Sequence, residues 1–151
     1  MKLPLYAALL VLLTGGSPAQ ACTGATISAA WVRSPPPGMT MTAAYFELRN
    51  DGAMPLVIES ISSADFGSTM LHETVYRDGE AHMQHLAVIA VAPGETFRAT
   101  PGSVHVMVAD PLSEISALKT AGFELHCTGG GTLAYRAAVL RSAPDIAETA
   151  P

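Results

Sequence analysis

Turn chemistry interrupts this chain before a helix of useful length can form. Pro35-Pro36-Pro37-Gly38, Asn50-Asp51-Gly52 and Asp78-Gly79 break it into short segments, and within those segments apolar residues recur with period two rather than 3.6. Strands are expected at residues 26–33, 40–49, 55–62, 68–77, 80–90, 96–100, 103–109, 121–127 and 132–140, with room for a helical turn only in 110–120. So many short strands with Gly/Pro punctuation predict an all-β domain over residues 22–141, an antiparallel β-sandwich or small Greek-key barrel.

The two ends read differently. Lys2, the apolar run from Leu3 to Leu13, the stretch Thr14-Gly15-Gly16-Ser17-Pro18 and Ala19-Gln20-Ala21 have the order of a secretory signal, so residues 1–21 are expected to be removed. That run is about eleven residues long, too short to remain as a membrane-spanning helix, and no later segment is longer. Residues 142–151 are small and polar and read as a flexible tail. With 8 Lys+Arg against 13 Asp+Glu, a net charge of -5 removes the basic footprint that nucleic-acid binding needs.

An exported chain with 2 cysteines points to a disulfide between Cys22 and Cys127, the one pair there is. Two alternatives stand beside it. The thiols stay free, with Cys127 available to a metal, or Cys22, first after the expected cleavage point, carries a lipid. Ala19 suits simple cleavage better than lipidation.

Enzyme chemistry is not expected, because G-x-S-x-G, H-E-x-x-H, CxxC and phosphate-loop patterns are all missing. What the strands do carry is histidine and methionine. A two-residue turn at Asp78-Gly79 pairs Arg77 with Glu80, Thr74 with Met83 and His72 with His85, which puts His72 and Met83 on one face as diagonal neighbours. His105 and Met107 share one side of their strand, while Val104, Val106 and Val108 take the other as core. Imidazole nitrogen with thioether sulfur is a soft, uncharged donor set that suits Cu(I) better than Zn(II), Mg(II) or Ca(II). Taken singly, each of these residues is ordinary packing or surface; the spacing sets them apart. His72, Met83, His105 and Met107 form H-x10-M-x21-H-x-M, which random placement of 5 His and 7 Met among 151 positions would produce about 4 times in 10,000.

That spacing resembles the signature of the PCu(A)C family of periplasmic copper chaperones. The resemblance runs in order through Ala29-Ala30-Trp31-Val32-Arg33, Thr42-Ala43-Ala44-Tyr45-Phe46, Arg49-Asn50, Leu71-His72-Glu73, Pro93-Gly94-Glu95, Pro101-Gly102 and His105-Val106-Met107, over about residues 25 to 140. It implies a cupredoxin-like β-sandwich and a periplasmic protein that binds one Cu(I) per chain through His72, Met83, His105 and Met107. It also implies delivery of that copper toward the dinuclear centre of cytochrome c oxidase, either to the copper-bearing subunit or through a thioredoxin-like copper carrier. A periplasmic copper buffer or resistance protein uses the same donors and is the alternative. A blue-copper electron carrier fits less well, since Cys127 is followed by Thr-Gly-Gly-Gly rather than by a nearby His and Met.

The chain departs from the family at three places. Glu73 stands where a methionine often follows the first histidine, leaving Met70 as the nearest spare sulfur. His85 stands where proline is usual, and is either an auxiliary ligand or a surface residue. The tail has no His or Met, so a second copper site there is not expected. Trp31 is expected in the core, His82 at the surface, and His126 on the face opposite Cys127. Met39 and Met41 read either as a soft docking surface or as packing.

Overall fold

The structure, a computed structural model, describes residues 22–144. The expected leader at 1–21 and all but the first three residues of the expected tail lie outside the described residues. Ten strands follow one another: β1 (Ala25–Arg33), β2 (Met41–Asn50), β3 (Leu56–Ser63), β4 (Phe66–Arg77), β5 (Glu80–His85), β6 (Ile89–Val91), β7 (Thr96–Ala99), β8 (Val104–Pro111), β9 (Thr120–Cys127) and β10 (Gly131–Leu140). A single 3-10 turn, Ile115–Ala117, fills the stretch that had room for one.

Hydrogen bonding links the strands in the order β5-β4-β8-β2-β1-β10-β9-β3-β6, with β7 on β2. This long ladder folds over on itself, so that β3 meets β4 across the core and the Thr69 hydroxyl donates to the Ile61 carbonyl. The result is the expected all-β sandwich, with one correction to its antiparallel character. β1 and β10 run parallel, Trp31 opposite Ala138 and Val32 opposite Val139. Parallel neighbours need a long connection, and here almost the entire domain supplies it.

Alternation places the side chains. Val104, Val106 and Val108 face inward as expected, joined by Phe46, Leu48, Ile58 and Leu125, all nearly inaccessible to water. β9 alternates without a break, its inward residues Ala121, Phe123, Leu125 and Cys127 all buried. Asn50 is the polar exception: its amide donates to the Met54 and Val91 carbonyls and its side-chain oxygen accepts from the Gly52 N–H, so this buried group is hydrogen-bonded and pins the turn after β2.

The expected continuous strand over 80–90 breaks into β5 and β6. Residues 83, 85, 89 and 91 have one parity, so an unbroken strand would put apolar Ile89 and Val91 on the same face as Met83 and His85. Instead the Leu86 N–H bonds to the Leu71 carbonyl, the chain leaves β4, and β6 pairs with β3, where Ile89 and Val91 are buried. Cys22 and Cys127 are bridged, with their Cα atoms 5.7 Å apart, tying the start of the domain to the end of β9. A sulfur held in that bridge is not available for a metal bond or a lipid thioether.

Candidate metal centre

The turn joining β4 to β5 has Asp78 at φ 53 and Gly79 at φ 83, the left-handed pair a type I′ turn requires. It delivers the expected register: Arg77 opposite Glu80, Thr74 opposite Met83 and His72 opposite His85. On its other edge β4 pairs with β8, which sets His72 opposite His105 and Met70 opposite Met107. Antiparallel partners project to the same side of a sheet. His72, Met83, His105 and Met107 therefore share one face, and Met70 and His85 lie on it with them, as the hairpin register and the parity of β4 predict.

His72 is the hub of this face. Its ring centroid lies 6.0 Å from that of His105 and 6.2 Å from that of His85. Met107 and Met83 hold the diagonal positions on either side of it, where Cα atoms sit about 7 to 8 Å apart and long side chains meet. Accessibility grades across the strands. His105 on β8 is buried, His72 and Met107 are half-buried, and on the edge strand β5 both Met83, 67% exposed, and His85 lie open to solvent.

The nitrogens are arranged unequally. His105 Nδ1 lies 3.2 Å from the Ser103 carbonyl oxygen, an acceptor only, so the proton belongs on Nδ1 and the lone pair on Nε2 faces elsewhere. His72 Nδ1 is buried and has no hydrogen-bond partner. Burial, followed by the neighbouring imidazoles His105 and His85, holds the His72 pKa below its ordinary value of 6.5, which keeps the ring neutral. Among the described residues no three His, Cys, Asp or Glu side chains converge as a chelate. A mononuclear site on this face therefore draws on the thioethers, or on rotation of the rings about χ1 and χ2.

Among the neighbours, Trp31 joins a different layer from the one expected, and the others sit where the sequence puts them. Trp31 is buried, but it packs against Tyr45 with ring centroids 4.6 Å apart and planes tilted by 31°, and Tyr45 shares the parity of Ala43, the partner of Met107. Both aromatics thus lie on the histidine–methionine face and not in the main apolar core. Local alternation identifies them as buried; which layer they join depends on the pairing of β2 with β8. Met41, opposite Ala109, is on that same face and exposed, as is Met39 in the preceding loop. His82 is at the surface beside Glu80, and His126 bonds the Ser62 hydroxyl at 2.8 Å, opposite in direction to buried Cys127.

A family model described as LpqE-like, putative lipoprotein, matches residues 25–139. The putative lipoprotein Lxx21020 of Leifsonia xyli subsp. xyli is 29% identical over 117 residues, 77% of this chain and 69% of that protein. Among solved structures, the copper-bound PCuAC domain from PmoF2 superimposes with a TM-score of 0.65 at 24% identity, covering 79% of this chain and 94% of that one. At that identity the likeness is one of fold. CuI-DR1885 from Deinococcus radiodurans superimposes with a TM-score of 0.59 at 28% identity, covering 83% of this chain and 84% of that one.

Proposed function

This chain belongs to the LpqE-like family of putative lipoproteins, and on that premise we propose that it is an exported copper chaperone that carries one Cu(I) on the exposed face of β4, β5 and β8. The observation that carries this reading is His72 placed between two thioethers, Met83 and Met107, with His105 directly opposite it on β8. The similarity to a PCuAC domain and to CuI-DR1885 supports it, as those proteins are described with copper or Cu(I) bound. The bridge Cys22–Cys127 is in keeping with an oxidising compartment outside the cytoplasm, and the leader read at 1–21 with export to the periplasm.

In this reading the ligands are His72, Met83, His105 and Met107, and Cu(I) is cargo. Four neutral donors leave the ion its own single positive charge, and thioethers need no deprotonation, so protons compete only at the two imidazoles. His105 stays anchored by the Ser103 carbonyl, while Met83 on the edge strand is free to leave. An acceptor approaching over β5 replaces Met83 first. Thiolates of a thioredoxin-like carrier, or of the copper-bearing subunit of cytochrome c oxidase, bind Cu(I) more strongly than thioethers and draw the ion across without a redox step.

The test is a Cu(I) competition titration of residues 22–151 under anaerobic reducing conditions, with X-ray absorption at the copper edge. One equivalent bound through mixed nitrogen and sulfur scatterers is expected, with Met83→Leu and Met107→Leu each weakening binding by about tenfold or more while the fold is kept. Unchanged affinity in both variants refutes the ligand assignment.

A further inference from the structure

On β4 and β8, two successive rungs of the histidine–methionine face consist of soft donors alone. His72 stands opposite His105, and one same-face step along both strands Met70 stands opposite Met107. Directly opposite Cβ atoms lie about 4.5 to 5.5 Å apart and diagonal ones within about 7 to 8 Å, so the middle of this block is about 4 Å from each of the four. The His72 and His105 rings, 6.0 Å apart between centroids, have the separation of two imidazoles on one ion, about 5 to 6.5 Å for metal–nitrogen bonds of about 2.0 to 2.1 Å. Met83 is outside the block. It lies on β5 opposite Thr74 and meets His72 along the diagonal that leads away from Met107.

Packing does not account for Met70. A methionine that fills a gap in a core is buried, whereas Met70 is 39% exposed. β5 ends at His85, opposite His72, and the chain then leaves β4 to pair with β3. No strand therefore flanks Met70 on that side, and its side chain has room to lean over the block.

We propose that Met70 is a copper ligand: with Met107, His72 and His105 it closes an inner four-donor station for Cu(I), and Met83 is the outer donor through which the ion enters and leaves. This rests on the copper-chaperone reading above and deepens it. Two imidazoles and two thioethers are neutral and soft, the donors that suit Cu(I). His72 belongs to both stations. As the ion moves toward Met107, the bond from copper to the Met83 sulfur breaks and one to the Met70 sulfur forms. One thioether replaces another, with no change of charge and no redox step. The reverse exchange returns the ion to the exposed edge strand, where an acceptor meets it.

Residues 22–151 with isotope-labelled methionine methyl groups are titrated with Cu(I) against a competing chelator under anaerobic reducing conditions. Nuclear magnetic resonance follows each methyl, and X-ray absorption at the copper edge counts the sulfurs. The Met70 and Met107 methyl signals are expected to shift together. Leucine has nearly the volume of methionine, so in Met70→Leu circular dichroism stays unchanged while Cu(I) affinity falls by about tenfold or more. Met83→Leu is expected to keep two sulfur scatterers per copper, and Met70→Leu/Met83→Leu to keep one. A single sulfur in Met83→Leu, with unaltered affinity in Met70→Leu, overturns this proposal and leaves the ligand set of His72, Met83, His105 and Met107 intact. Two sulfurs in Met83→Leu, with affinity lost in Met70→Leu, support it whatever Met83 itself contributes. A wild type that takes up no Cu(I) overturns both.

Discussion

At His72, burial and two neighbouring imidazoles act in one direction, and the consequence is a pH dependence with a definite sign. The folded-state pKa lies below the ordinary 6.5, so between those two values the unfolded chain binds more protons than the folded one, and stability falls as pH drops through that window. Urea melts at about pH 7 and about pH 5.5 should show the midpoint dropping in acid. The drop should be smaller in His72→Asn; an equal drop in both would remove His72 as its source. The same depression keeps the ring available to a metal at a pH where a free histidine is protonated. The histidine and methionine identities were legible from spacing. The layer joined by Trp31 and Tyr45 was not, because burial shows as alternation but the partner of a given face does not.

The hairpin of β4 and β5 shows how far local chemistry reaches. A two-residue turn leaves no freedom of register, so Asp78-Gly79 was enough to bring His72 opposite His85. Gly79 sits at φ 83 with open space where a Cβ would point, so Gly79→Ala meets no steric neighbour and strains only the backbone. That strain should cost about 1 to 2 kcal/mol of stability, or reset the turn. Either way Met83 and His85, carried by the far arm, lose their placement, and Cu(I) affinity should fall although no donor has been touched. An unchanged affinity would show that the hairpin register does not matter to the site. The pairing of β4 with β8 is of another kind: β5, β6 and β7 intervene in the chain, and no turn type specifies it. The break between β5 and β6 is hidden from the local pattern for a related reason. Residues 80–90 alternate acceptably as one strand, and only the need to bury Ile89 and Val91 against β3 divides them.

Across the whole molecule, the Cys22–Cys127 bridge closes most of the domain into a single loop, with a sequence separation of 105. In the chain-entropy account a loop of that size restricts the unfolded state strongly, and Cys22→Ser/Cys127→Ser should lose about 2 to 5 kcal/mol in urea denaturation, as should the wild type after full reduction. A loss below about 1 kcal/mol would show that the ends are held equally well by the β1–β10 seam. The bridge also bears on anchoring. Membership in a family of putative lipoproteins raises lipid attachment at Cys22, and the sulfur that such an attachment would use is the one bonded to Cys127.

The sequence by itself determined the all-β class, every strand segment but the division of 80–90, the β4–β5 register and the soft character of the histidine and methionine side chains, because period-two alternation, turn residues and ligand softness are local properties of the chain. Tertiary structure alone decided that β4 lies between β5 and β8, making His72 the hub of two histidines and three thioethers, and that β1 closes on β10 in parallel. Those pairings join residues far apart in the chain, and they are chosen by the burial of one shared apolar core, a condition that only the assembled sheet can satisfy.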